Sequence, residues 1–203
     1  MLLGPKYKIC KRLGASVFEK CQTKKFQLAE ARAPRRTRPK RGGGGDYGAQ
    51  LLEKQKARLT YGMGETQFAR YVHEAMEQHR VPSSENLLSR LESRLDNTVY
   101  RAGFVSTRRA ARQMVSHGHI FVNGRRMNIP SHCVKEGDVV SVRPESRESA
   151  LFTGRSEAAL ETKTPVWLKS EDGGFAVAVA SAPGVGQSEA PFSAPIIIQF
   201  YSR

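Results

Sequence analysis

The sequence predicts an α+β protein with a basic extended N-terminal region, and three observations carry that expectation. Apolar residues recur at helical spacing in two stretches: Leu51-Leu52, Leu59, Phe68, Tyr71-Val72 and Met76, then Leu88, Leu91, Leu95 and Val99. Asn123-Gly124 separates two short β-prone runs, a strong hairpin signal because a type I′ turn needs positive φ at both central residues. The first 45 residues are rich in Lys and Arg and poor in apolar side chains. They are expected to bury no core of their own and to be ordered largely by a polyanionic partner.

Residues 1–45 form the basic extension, ending in Arg35-Arg36-Thr37-Arg38-Pro39-Lys40-Arg41 and a joint of four glycines, Gly42–Gly45. Residues 46–88 form a helical domain. Gly62-Met63-Gly64 separates its two helices, and Pro82 with Ser83-Ser84 marks the next boundary. Residues 89–150 form a compact module. Its first helix carries the Leu88–Val99 stripe with Arg90, Arg94 and Arg101 off it, and Gly103 breaks it. Ser106 or Thr107 caps a second helix, Ala110, Ala111, Met114 and Val115 supply its buried side, and Gly118 stops it. Arg108, Arg109 and Arg112 fall within about one turn, so at least two share a face. His119–Val122 and Arg125–Ile129 are the hairpin strands, and Gly137-Asp138 turns into a strand over Val139–Val142. Residues 151–203 are a mixed segment packing on the body. Phe175, Val177 and Val179 alternate like a strand, Pro183–Pro195 is a loop, and Ile196–Tyr201 is a short strand or final helix.

Charge narrows the function classes. The chain has 33 Lys plus Arg against 19 Asp plus Glu, a net charge of +14. Residues 1–50 hold 13 basic and 3 acidic residues, residues 51–150 hold 16 and 11, and residues 151–203 hold 4 and 5. The expected partner is therefore a nucleic acid lying against the first three quarters of the chain. No run of about eighteen apolar residues offers a membrane span. Three cysteines argue against a disulfide framework and for a reducing compartment. No signal or transit segment is read ahead of Leu3, so the chain is expected to work where it is made.

Residues 90–138 resemble the S-four-type RNA-binding module, through Arg94-Leu95-Asp96-Asn97, Val99-Tyr100-Arg101, Gly103-Phe104, Thr107-Arg108, Ala111-Arg112-Gln113, His117-Gly118, Val122-Asn123-Gly124, Ile129-Pro130-Ser131 and Gly137-Asp138. Matches continue outside it, in Leu3-Gly4-Pro5-Lys6, Cys10-Lys11-Arg12, Asp46-Tyr47-Gly48, Glu53-Lys54-Gln55-Lys56, Tyr61-Gly62, Pro165 with Trp167-Leu168, and Phe200-Tyr201-Ser202-Arg203. The whole chain thus resembles the bacterial-type small-subunit ribosomal protein S-four family. That resemblance implies a helical domain, completed by residues 180–203, into which the α/β module is inserted. It implies binding to small-subunit rRNA, nucleation of 5′-domain assembly, contact with the neighbouring protein S-five, an influence on translational accuracy, and a position near where mRNA enters. The implied location is the cytoplasmic ribosome of a bacterium. A plastid ribosome is the alternative and, without a leader, would require plastid coding.

The residues expected to meet RNA fall in three groups. Arg94, Arg101, Arg108, Arg109, Arg112, His117 and Arg125 lie in the module, Lys54, Lys56 and Arg58 on the first long helix, and Arg35, Arg36, Arg38, Lys40 and Arg41 in the basic run. Guanidinium forks suit phosphates because they can bind bidentately. The basic run could also hold single-stranded mRNA. Catalysis and metal are not expected. Many members of the resembling family place four zinc-binding cysteines near the N-terminus, but here Tyr7 and Phe26 stand with Cys10 and Cys21. Two thiolates rarely hold structural zinc. His117-Gly118-His119 flanks a helix stop, and Asp96 is read as a carboxylate orienting Arg94 or Arg101. No triad, P-loop or dinucleotide fingerprint is present, so neither an enzyme nor a cofactor is expected. The alternatives are a free RNA-binding factor or an RNA-modifying enzyme carrying the same module. The second would need a further catalytic domain that the residues after 150 cannot hold.

Overall fold

The computed structural model describes residues 4–32, 46–78, 80–149, 164–184 and 190–202. Among the described residues, eight α-helices and one five-stranded antiparallel sheet make up an α+β fold. Two compact units divide inside the fifth helix: residues 1–87 with 189–203, and residues 88–188.

The first unit opens with α1 (Lys6–Leu13) and α2 (Lys24–Arg32), joined by a 3₁₀ turn at Glu19–Cys21. Here the structure corrects the expectation for segment 1–45. Cys10, Leu13, Val17, Phe18, Cys21 and Phe26 are buried together with Leu59. Residues 4–32 thus share a small core, which the basic residues between these apolar positions conceal in any count by composition. The Arg35–Arg41 run and the Gly42–Gly45 joint lie outside the described residues.

α3 (Asp46–Thr60) and α4 (Glu65–Glu77) follow, separated by the Gly62-Met63-Gly64 turn. α8 (Ala194–Tyr201) packs against both. The Ser193 backbone N–H donates to Glu53 Oε2 at 2.8 Å, and the Tyr201 hydroxyl donates to Glu65 Oε1 at 3.1 Å. Phe68 and Tyr201 add a tilted ring contact at 6.3 Å. The C-terminal apolar element is therefore a helix, not a strand, and its aromatics close the face that α3 and α4 leave open.

In the second unit the expected single helix through Leu88–Val99 is two. α5 (Ser83–Glu92) stops, Arg94 takes an extended conformation (φ −67°, ψ 138°) that forms an isolated bridge to Cys133, and α6 (Leu95–Arg101) begins. Leu88, Leu91, Leu95 and Val99 are all buried regardless. Helical spacing survives the break, which is why it cannot reveal it. α7 (Arg108–His117) starts at Thr107, whose hydroxyl accepts the Ala110 N–H at 3.1 Å, and ends at Gly118 in the left-handed region.

The sheet order is β2-β1-β3-β5-β4, with β1 Ile120–Val122, β2 Arg125–Met127, β3 Val139–Val142, β4 Leu168–Glu171 and β5 Ala176–Val179. Asn123 and Gly124 both have positive φ, 50° and 74°, which closes the β1–β2 turn. Asn123 is held further, its Oδ1 accepting from Val139 N–H and its Nδ2 donating to Asp138 Oδ1, each at 2.8 Å. The sheet does not stop at residue 150, because Val140 pairs with Val177 and Leu168 with Val179. Trp167 and Leu168 join Leu95, Val99, Ala111, Val115, Ile120 and Val140 in one apolar core. Residues 164–184 thus supply two strands and part of the core of this unit.

Gly118 yields a stability prediction. Its φ of 75° disfavours an L side chain, and a Cβ there would collide with the Arg126 guanidinium. Gly118→Ala is expected to cost about 1–2 kcal/mol, read as a lower urea midpoint with unchanged m-value.

Candidate nucleic-acid interface

The break between α5 and α6 builds the main cationic face. Two carboxylates sit at it almost out of solvent, Asp96 and Glu92. Asp96 Oδ1 and Oδ2 accept from Arg94 Nε at 3.0 Å and Nη2 at 2.7 Å. The same Oδ2 accepts from Arg112 Nε and Nη2 at 3.1 and 2.9 Å. Glu92 Oε2 accepts from Arg101 Nε at 2.9 Å and from Asn97 Nδ2 at 2.8 Å, and its Oε1 from Arg101 Nη2 at 3.1 Å. Asn97 in turn accepts from Arg108 Nε at 2.9 Å, while the Arg108 guanidinium lies 4.3 Å from the centre of the Tyr100 ring. Asp96, Glu92 and the Asn97 carbonyl fix the direction of each guanidinium plane.

The expected RNA-facing residues separate by burial. Arg94 is 1% exposed, so it is a structural cation that pins the α5–α6 corner, not one presented to a phosphate. Arg101, Arg108 and Arg112 are half-buried. Arg109, His117 and Arg125 are exposed. Arg126, missed by sequence reasoning, is also exposed and donates to the His117 carbonyl at 3.3 Å. Glu92 was missed as an organiser as well. It lies nine residues from Arg101 across a break that no spacing rule bridges.

In the other unit, Lys54, Lys56 and Arg58 have partners of their own. Lys54 and Arg58 both bind Glu65, and Lys56 binds Glu53 at 2.6 Å. Lys54 also stands 4.6 Å from the Phe200 ring centre. Burial pushes the Glu65 carboxyl up, but hydrogen bonds from Lys54, Arg58 and Tyr201 outweigh it and hold it below the usual range. Burial and the nearby Glu65 charge push the Tyr201 hydroxyl up. These cations dock the C-terminal helix as much as they charge the surface.

The four-cysteine zinc set does not fit this chain. Tyr7 and Phe26 stack with ring centroids 5.1 Å apart and planes inclined by 12°. Cys10 and Cys21 are buried beside them. Burial, with a hydrogen bond to Cys10, pushes the Cys21 thiol up to about 12, away from the thiolate that zinc requires.

Comparison with known proteins covers nearly the whole chain. The family model described as "Ribosomal protein S4/S9 N-terminal domain" matches residues 1–92, and the one described as "S4 domain" matches residues 93–140. The chain is 42% identical to small ribosomal subunit protein uS4 of Pelotomaculum thermopropionicum over 204 residues, covering 98% of each. It is 46% identical to uS4 of Corynebacterium kroppenstedtii over 160 residues, covering 78% of each. It is 40% identical to uS4 of Chloroflexus aurantiacus over 203 residues, covering 99% of this chain and 98% of that one.

The buried Asp96 and the stacked pair each generate a prediction. Asp96→Asn removes a bidentate charged partner of the buried Arg94, which is expected to cost about 3–5 kcal/mol by urea unfolding. Arg112→Ala removes a partly exposed partner while Asp96 keeps Arg94, and is expected to cost less than about 1 kcal/mol. Purified protein is expected to carry no stoichiometric zinc by metal analysis, and chelator to leave its melting temperature unchanged.

Proposed function

The chain belongs to the ribosomal protein uS4 family, whose members are non-enzymatic constituents of the small ribosomal subunit, and from that premise we propose that it is a primary rRNA-binding protein acting as a preorganised arginine platform. One observation carries this reading. Arg101, Arg108 and Arg112 are held in fixed directions by Glu92, Asn97 and Asp96 before any RNA is present. A cation already oriented loses less entropy on meeting a phosphate than one free to rotate. Arg109, Arg125 and Arg126 extend the platform as exposed cations. A-form RNA hides its major-groove edges, so such a platform reads the shape of a junction and not its sequence.

The finer role extends the same reading. The protein nucleates assembly of the rRNA 5′ domain, contacts the neighbouring protein S-five, influences accuracy, and lies near where mRNA enters, in the bacterial cytoplasm. The basic run with Arg35, Arg36, Arg38, Lys40 and Arg41 supplies a density of positive charge suited to single-stranded RNA. Sedimentation of tagged protein through a sucrose gradient tests the ribosomal role. Co-migration with small subunits is expected, whereas material staying near the top would indicate a free RNA-binding factor.

The platform itself is tested by replacing Arg108, Arg109 and Arg112 with Ala together. Affinity for small-subunit rRNA is expected to fall. The slope of log affinity against log salt should lessen by about 0.7–0.9 for each phosphate that is no longer neutralised. An unchanged slope in filter binding across a salt series would remove α7 from the RNA surface.

A further inference from the structure

We propose that a cleft between α7 and the start of β1 receives an unstacked nucleobase of the bound RNA; the proposal rests on the reading of this module as an RNA platform. The cleft encloses about 290 Å³. Ala110 and Met114 give it an apolar wall. His117 and His119 add two imidazole rings, 6.1 Å apart and inclined at 51°. His119 Nδ1 is paired with Ser146 Oγ at 2.9 Å, which fixes that ring and keeps it from collapsing into the space. Ser106 and Gln113, both exposed, line the same cleft and bring a hydroxyl and a carboxamide. Those groups can donate to and accept from a base edge, while the rings and the thioether offer faces to its π-surface.

The surroundings select this occupant. No carboxylate lines the cleft among the described residues. Arg109 is exposed on α7 one turn before Gln113, and exposed Arg126 donates to the His117 carbonyl. Arg109 thus precedes the lining residue Ala110, and Arg126 bonds the lining residue His117, so a strand whose phosphates they hold can turn a base inward. An apolar side chain from a protein neighbour would use the wall but leave Ser106, Gln113 and both arginines unanswered. The use of a base face with one polar edge implies tolerance of several bases, not readout of one.

The test uses the full chain with two fluorescein-labelled single-stranded RNA decamers, one of adenosines and one with its central residues abasic. Fluorescence anisotropy is followed across a salt series. The adenosine decamer is expected to bind about 5- to 150-fold more tightly for one stacked base, with the same salt slope. Ala110→Trp fills the cleft without touching the arginines, and should remove that preference while leaving the slope unchanged. Gln113→Ala, at an exposed position, should lower it in part and guards against a folding defect in the first variant, which circular dichroism detects. Equal affinity for the two decamers with a normal slope, or a preference that survives Ala110→Trp, overturns the proposal and leaves the cleft to an apolar side chain of a neighbouring protein. Absence of salt-dependent binding to either decamer would overturn this proposal alone, and absence of binding to small-subunit rRNA as well would overturn the platform reading with it.

Discussion

The buried carboxylate of Asp96 is the constraint on which the second unit depends. It sits at 5% exposure at the start of α6 and accepts from two guanidinium groups. One of them, Arg94, is buried, and burial of a lone guanidinium would cost several kcal/mol. The pair therefore has to form for the α5–α6 corner to close. Closing it also docks the loop before β3: Leu95 N–H donates to His132 O at 2.8 Å, Asp96 N–H to Pro130 O at 3.1 Å, and Val134 N–H to Ser93 O at 2.8 Å. The same corner brings Glu92 within reach of Arg101. Folding and formation of the cationic face are thus one event, because Arg101 and Arg112, which satisfy the buried carboxylates, are also part of that face.

Cations elsewhere are used differently. Lys54 and Arg58 converge on Glu65 with the Tyr201 hydroxyl, and so hold α8 against α3 and α4. In residues 4–32 the basic side chains lie outside a core of Cys10, Leu13, Phe18, Cys21 and Phe26. There a stacked Tyr7–Phe26 pair stands where ligands would be needed for a metal. Aromatic stacking and burial do for this segment what coordination would otherwise do, with no requirement for a thiolate. Part of the net charge of +14 is therefore engaged inside the protein, as Lys54 and Arg58 are with Glu65.

Local chemistry was legible from the residues alone. The helix start at Thr107, the stop at Gly118, the Asn123-Gly124 turn and the strand at Val139–Val142 each follow from a dihedral or hydrogen-bonding preference that a residue carries wherever it stands. The apolar set Leu88, Leu91, Leu95 and Val99 was legible too, since period alone identifies a buried face. The Glu92–Arg101 and Asp96–Arg112 pairs were not, because their partners are separated by a helix break or by 16 residues. Nor was the completion of the sheet by Leu168–Glu171 and Ala176–Val179, since pairing across a long connection leaves no trace in either segment.

By itself, then, the sequence determined the α+β class, the elements from Thr107 to Val142, the cationic character and the kinship. All of these rest on short-range preferences, on composition or on recognisable strings. Only the tertiary structure decided which arginines are structural and which face outward. Arg94 and Arg109 read alike as basic residues beside an apolar stripe, yet one is buried against Asp96 and the other is exposed. The difference is set by where the carboxylates fall once the corner is closed. A guanidinium's role is fixed by its nearest counter-ion in space, and distance in space is what a linear pattern does not contain.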